Sequence, residues 1–539
     1  MDSSPKTILL ILILLSAGLF LLFYFPNAAG SENIQMVAVF EPDESVPLPY
    51  VFDMIKPTET VKQALIQFAF YEYYFYGFPY FAVSALTLLP LQWLGQLENT
   101  PLVMAALRQV VSVLPMLLSI LLLVYLQTGF RSYKAVALFL LLVSLPAVMQ
   151  NNLWWHPDAL AILLAMLVIF FLYRDNLRLG WNFTLAGAMC GFSAGTKGIG
   201  FYFFLTIAVT LLMALFWKKV ELRRVVLAAA GFLLAMAAAY LLANPILIYA
   251  SVRRDYFHVM SEQSRLLFSG YEIYYEKGLA SAWRDLTKHF GSAIFLLAGL
   301  SACLWGVARG EKRLLHILIL TWVIPTSVMV FSLIHFKFQY WMPVALPLFS
   351  CLVEALPGAG WRARLRGQAG APARAAAWLQ GAAALILLAQ FGAFSVQNVN
   401  RYVDDLHRAE SNPSILFYEQ AVKALAPLPD EDAYSVYHDV RIYAPRTSGW
   451  VTEAAFETLS YQFVEDRDYD VLLLMQQRIA DYTNPNAVGI DEEQFAQSRT
   501  FYADADADRL RGFNLVYRDE YGLVFVKESY YRGYFAPRP

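Results

Sequence analysis

Cysteine is nearly absent from this 539-residue chain: Cys190, Cys303 and Cys351 are the three present, each inside an apolar run. That excludes a disulfide framework in the polar parts and any Cys/His metal cluster. Charge is scarce too. Asp, Glu, Lys and Arg make up 16% of the residues and nearly cancel to a net −2, which gives no overall pull toward nucleic acid. The sequence also lacks an internal repeat, a Walker-type phosphate loop and a dinucleotide fingerprint, which sets aside repeat scaffolds and the common nucleotide-binding folds.

What the chain has is apolar surface. It is 58% hydrophobic with a mean hydropathy of +0.45, outside the range of soluble globular proteins. A bilayer-crossing helix needs about 20 mostly apolar residues. Candidate spans run near 8–25, 101–126, 135–148, 159–173, 181–195, 198–217, 225–249, 292–307, 315–334, 341–356 and 378–396, which predicts an α-helical polytopic membrane protein of about eleven transmembrane helices. The first resembles a signal peptide, but its small-residue cleavage site is weak, so it reads as a retained anchor.

Basic residues collect in every second loop: Arg131 and Lys134, Arg174 and Arg178, Lys218 to Arg224, Arg309 to Arg313, and Arg362, Arg364, Arg366 and Arg374. With Lys6 they mark the cytoplasmic side, so 30–100, 151–157, 250–291, 335–340 and everything after 397 face outward. One apolar stretch, 78–97, breaks this alternation and carries Pro79, Pro90, Gln92 and Trp93; it reads as a helix lying along the outer interface. From about Asn400 the chain is richly charged, with strands expected at 434–437, 469–475 and 522–526 and a helix at 413–424. The expected organisation is a transmembrane domain over 1–397, with a long first external loop at 30–100, and an extracytoplasmic α/β or α+β domain over 398–539. The run Asp504-Ala-Asp-Ala-Asp508 lacks the glycine and terminal glutamate of an EF-hand loop and reads as a solvated turn.

Chemistry is expected where polar groups gather on the outer face. Asp43 and Glu44 follow the first span; one carboxylate can take a proton from a nucleophile while the other orients that nucleophile or a metal ion. A solvated acidic turn would have the same local sequence. The loop from Asn151 to Asp158 sets Trp154 and Trp155, platforms for sugar rings, beside His156 and Asp158. Arg108 lies about seven residues into the second span, roughly 10 Å deep at 1.5 Å per residue, where a cation is costly unless it meets an anion. Lys197 occupies a tight turn between two spans, Arg265 and His258 lie in the 250–291 loop, and His335 and Lys337 precede Trp341. Snorkelling explains any one of these cations; several on one face suggest a phosphate-binding set. Glu44 with His156 or His258 could coordinate a divalent ion, although the spacing does not demand it.

The same positions resemble the integral-membrane glycosyltransferases of the GT-C fold, in the branch of protein O-mannosyltransferases and lipid A aminoarabinose transferases. Glu41-Pro-Asp-Glu44 resembles their first-loop acidic motif, Ala106-Leu-Arg108 the arginine early in the next span, and Asn152 to Asp158 a loop carrying a further acid. Gly187 to Gly191 through Thr196-Lys-Gly198 is similar to their Gly-rich span, and His335-Phe-Lys337 to Pro343 to a late proline-containing span. The resemblance implies inversion at the anomeric carbon and a polyprenyl-phosphate sugar donor. It makes Asp43 the base or acceptor-orienting acid, Glu44 its helper or a metal ligand, Asp158 a further acid, and Arg108 and Lys197 the donor-phosphate ligands. The implied location is a bacterial inner membrane with an outward-facing site. The acceptor, whether glycan, lipid or protein, is left open.

A transporter or flippase would also set charges along a lipid path, but it predicts ionisable groups near mid-bilayer and matching broken helices in two halves. Neither pattern is present in the sequence. An oligosaccharyltransferase would show a Trp-Trp-Asp triplet in its outer domain, which is not found; a phosphoethanolamine-type transferase would want a soluble metal-binding domain rich in Asp and His, and the tail has few histidines, His407 and His438.

Overall fold

In hydrocarbon every backbone N–H and C=O has to be satisfied inside its own segment, so long apolar runs become helices. The computed structural model describes residues 4–536 apart from 271, 275–276, 335, 359–360, 362–370, 430–432, 446–449 and 456–458, and apart from the side chains of 371–373 and 375–376. His335, Arg362, Arg364 and Arg366 lie outside the described residues. Pro5–Ala28, Thr100–Thr128, Ile199–Trp217, Leu222–Leu242, Arg313–Ser332 and Ala377–Leu406 are each long and apolar enough to cross a bilayer. Counting each of two bent pairs as one span brings the number to eight among the described residues: Lys134–Val143 with Pro146–Asn152, bent by 65°, and Leu279–Phe290 with Ala293–Arg309, bent by 85°. The other expected spans are helices of 18, 17 and 13 residues, Asp158–Asp175, Trp181–Lys197 and Phe338–Ser350. The stretch expected along the interface forms Phe78–Trp93, 16 residues and too short to span by itself.

Two compact units result. The first comprises Met1–Asn27, Tyr50–Glu262 and Lys277–Tyr402; the second comprises Ala28–Pro49, Gln263–Glu276 and Val403–Pro539. In the first unit, packing is driven by close backbone approach rather than by bulk. A Cβ on Gly187 would stand 2.6 Å from the Phe232 carbonyl oxygen, and one on Gly191 2.1 Å from that of Met236. The glycine stripe of Trp181–Lys197 therefore lies directly on Leu222–Leu242, as small residues permit in membrane helices.

The second unit is built on a five-stranded sheet. Its strands are β2 (Tyr434–Asp439), β3 (Trp450–Ala455), β4 (Val471–Met475), β6 (Phe513–Arg518) and β7 (Gly522–Lys527), in the order β3-β2-β4-β7-β6. β2 runs parallel to both β3 and β4, whereas β7 is antiparallel to β4 and β6. Both faces are covered, as sheets with parallel strands require. Val436, Val471, Leu473, Val524 and Val526 pack with Ile415 and Phe417 of helix Pro413–Leu425, and with Val39 of helix Ile34–Phe40. Tyr437, Leu472, Leu474, Leu523 and Phe525 pack on the other side with Ile479, Phe501 and Tyr502. A short ladder joins β1 (Ile273–Tyr274) to β5 (Val488–Gly489). The three expected strands are β2, β4 and β7. The aspartate run is not a free turn: Asp504 and Asp506 end helix Glu492–Asp506, and Asp504 accepts a hydrogen bond from the Tyr461 hydroxyl at 2.8 Å.

Candidate functional site

Two consecutive helices set the centre of the site. Asp158 opens Asp158–Asp175 and Lys197 closes Trp181–Lys197, so each charge sits at the end of a helix dipole that favours it. Gly198 then takes a left-handed backbone, φ +71°, and its N–H caps the Ala194 carbonyl. The two charged ends meet: Lys197 Nζ donates to Asp158 Oδ1 at 2.5 Å, with Asp158 almost wholly buried. His156 Nδ1 lies 2.5 Å from Asp158 Oδ2 and 3.4 Å from Lys197 Nζ. With Asp158 ionised, the imidazole proton sits on Nδ1, which leaves Nε2 to accept from the Tyr76 hydroxyl at 2.9 Å. The imidazole is stacked on Trp154 at 3.8 Å, and the Lys197 ammonium lies 5.2 Å from the centre of the Tyr340 ring.

Behind this cluster the second long helix loosens into a π-type turn, Arg108–Val113, an irregularity that recurs at functional sites. Ser112 Oγ donates to the Trp154 carbonyl at 2.5 Å. Arg108 is fully buried and donates to the Asn27 carbonyl at 2.7 Å; Asn27 in turn donates from its amide to the Asn152 carbonyl at 3.0 Å. A short chain of hydrogen bonds thus ties Arg108 to the loop that carries His156. Around it, the amide atoms of Gln109, Asn151 and Asn152 and the indole nitrogen of Trp154 are buried with no hydrogen-bond partner among the described residues. Buried polar atoms left this way call for water or a ligand, since each would otherwise cost about 1–3 kcal/mol.

Trp154, His156, Asp158 and Lys197 are therefore one cluster, with Arg108 linked to it. Trp155 points elsewhere: it is fully buried, stacked on Tyr80, with its indole N–H donated to Ser84 at 3.0 Å. Lys337, half-buried, immediately precedes Phe338–Ser350, the helix that supplies Tyr340. His258 and Arg265 are exposed and seven residues apart on helix Ala250–Ser269, hence on one helical face. Asp43 and Glu44 belong to the second unit, in the short helix Pro42–Ser45, with Asp43 exposed and Glu44 fully buried. Among the described residues no group of three or more His, Cys, Asp and Glu side chains is placed to hold a metal ion.

Among solved structures, some are similar to the chain as a whole. Two are structures of ArnT from Cupriavidus metallidurans. The one bound to undecaprenyl phosphate is 14% identical, with a TM-score of 0.47, over 95% of this chain and 97% of that one. The apo one is 13% identical, with a TM-score of 0.48, over the same shares. No protein-family model matches the chain, and no curated protein does.

Sequence reasoning missed Tyr76, Ser112, Asn27 and Tyr340. Tyr76 had a signal available: nine of the twelve residues 70–81 are aromatic, too dense a run for interface anchoring alone.

Proposed function

We propose that this chain is an inverting glycosyltransferase of the GT-C type, moving a monosaccharide from a polyprenyl-phosphate donor to an acceptor hydroxyl at the outer face of the membrane. The observation that carries this reading is the Lys197 ammonium, held at a helix end by Asp158 beside His156, with a second buried cation, Arg108, hydrogen-bonded through Asn27 to the loop that carries His156.

The chemistry follows from charge. The acceptor oxygen bonds to the anomeric carbon while the bond from that carbon to the phosphate oxygen breaks. The donor phosphodiester carries one negative charge, and the departing lipid phosphate monoester gains a second. Lys197 and Arg108 hold that gained charge, which makes their contacts stronger in the transition state than in the bound donor. The acceptor proton goes to a carboxylate, the role assigned to Asp43, with Glu44 orienting the acceptor. Trp154 and His156 border the sugar, and the unpartnered amides of Gln109, Asn151 and Asn152 supply hydrogen bonds for hydroxyl or phosphate oxygens. Arg265 and Lys337 are further candidates for the lipid phosphate.

The test is sugar transfer by membranes containing the wild type, Asp43→Asn or Lys197→Met, offered a panel of radiolabelled polyprenyl-phosphate monosaccharides. Transfer by the wild type that is lost in both variants, each still inserted, supports the reading. Equal transfer in wild type and Lys197→Met overturns the assigned role of the cation.

A further inference from the structure

Tyr50, Asp53, Lys56, Gln67, Phe70, Tyr71 and Glu72 line an open surface cavity of about 330 Å³ that the Lys197 cluster does not use. Its size is near the lower end of small-molecule sites, about 300–1,000 Å³. Two helix ends make it. Leu48–Ile55 ends where Asp53 pairs with Lys56. Val61–Ala69, started by a capping box between Thr60 and Gln63, sends Gln67 back to that end, its amide donating to the carbonyls of Asp53 at 2.6 Å and Lys56 at 2.9 Å. Half-buried Tyr50 and Phe70 supply ring surface, and Tyr71, 1% exposed, lines the interior side. Glu72 completes the rim with φ at +52°, a left-handed backbone that costs an L-residue about 1–2 kcal/mol.

This lining suits a particular chemistry. Aromatic faces accept the C–H face of a sugar ring, and carboxylates accept hydrogen bonds from its hydroxyls. Two carboxylates against one ammonium leave the rim negative, and the carbonyl ends of two helices add to that. An anionic sugar is repelled, whereas a neutral or amine-bearing one is not. Packed rings connect its wall to the charged cluster: the Tyr50 ring lies 5.3 Å from Tyr73, Tyr73 lies 5.9 Å from Tyr76, and Tyr76 lies 4.9 Å from the His156 ring.

We propose that this cavity is a sugar subsite for the acceptor, selecting a neutral or amine-bearing ring over an acidic one. The word acceptor rests on the transferase reading above; the sugar site itself does not.

The experiment is saturation-transfer NMR on the full chain in lipid nanodiscs free of sugar detergents, with methyl glucoside, glucosamine and glucuronate as probes. The expected result is binding of the first two, with glucuronate about tenfold weaker or more, as like-charge repulsion and a lost charged hydrogen bond predict. Tyr50→Ala and Glu72→Gln each weaken glucosamine by about tenfold or more, the second variant being a conservative change at an exposed turn. No binding by the wild type, unchanged binding in both variants, or glucuronate bound as well as glucosamine overturns the proposal. Lys197→Met separates the two readings, because it ends transfer and leaves sugar binding intact. Sugar binding without transfer by the wild type rejects the transferase reading and keeps the subsite as a sugar site.

Discussion

Lys197→Met is expected to do two separable things. Asp158 is 1% exposed at its side chain and Lys197 15%, so the pair is effectively out of water. Removing one partner of a buried ion pair leaves the other charge uncompensated, at a cost of about 3–5 kcal/mol. His156 lies 2.5 Å from the same carboxylate and can take up a proton in compensation, which places the expected loss near the lower end, about 3 kcal/mol. Asp158→Asn removes the orphaned charge, so the double variant is expected to recover about 1.5 kcal/mol or more relative to the sum of the single changes. Activity behaves differently. The ammonium that meets the leaving phosphate is still missing, so transfer in the double variant stays about 100-fold or more below wild type. The assay pairs thermal unfolding in nanodiscs with radiolabelled sugar transfer across this double-mutant cycle. Additive stability losses would show that the pair is not a coupled buried unit. Recovery of transfer alongside stability would show that Lys197 serves the fold and does not serve the phosphate.

Further outcomes follow from other contacts. Tyr76→Phe deletes the hydroxyl 2.9 Å from His156 Nε2 and is expected to cut transfer by about tenfold while protein yield is unchanged; unaltered kinetics would remove Tyr76 from the site. Gly191→Val places a branched side chain where a Cβ already meets the Met236 carbonyl oxygen at 2.1 Å, so the variant should be lost as aggregate in size-exclusion chromatography, whereas Gly18→Ala, with open space around it, should elute as wild type. Burial raises the Asp439 carboxyl above its ordinary 3.8, against the opposing pull of Arg478. Stability from a group raised in this way is complete below its unfolded pKa and lost as pH climbs through the folded one, so the melting profile of the second unit should fall with pH in that window, and Asp439→Asn should lack that part of the slope.

The sequence was most readable where charge interrupts apolar runs. Asp158 and Lys197 stood out because each ends a hydrophobic span, and a charge there needs a partner. Tyr76 did not, because tyrosine near a membrane has an ordinary explanation as an interface anchor. The same contrast holds in the second unit. β4 (Val-Leu-Leu-Leu-Met) and β7 (Gly-Leu-Val-Phe-Val-Lys) are buried on both faces and read as continuous apolar runs. β3, an edge strand carrying Thr452 and Glu453, and β6, interrupted by Asn514 and a register shift between Leu515 and Tyr517, offered weaker patterns. β1 and β5 are two residues each, and no local periodicity exists over such a length. The pairing of the two charged helix ends could be anticipated from an antiparallel hairpin of spans; the aromatic stack on His156 and the amides around Arg108 depend on loop geometry that spacing does not encode.

The second unit is assembled from three separated pieces of chain, and this has a consequence for biogenesis. Val39 and the Ile273 strand are made early, yet the sheet on which Val39 packs begins at Tyr434 and the strand that pairs with Ile273 begins at Val488. At a synthesis rate of about 5–20 residues per second, the earliest piece waits on the order of tens of seconds for its partners. During that interval its apolar side chains, Val39 among them, lack the partners that cover them in the folded unit. Burial of the early segments in the second unit therefore depends on synthesis of nearly the whole polypeptide, since its last strand ends at Lys527.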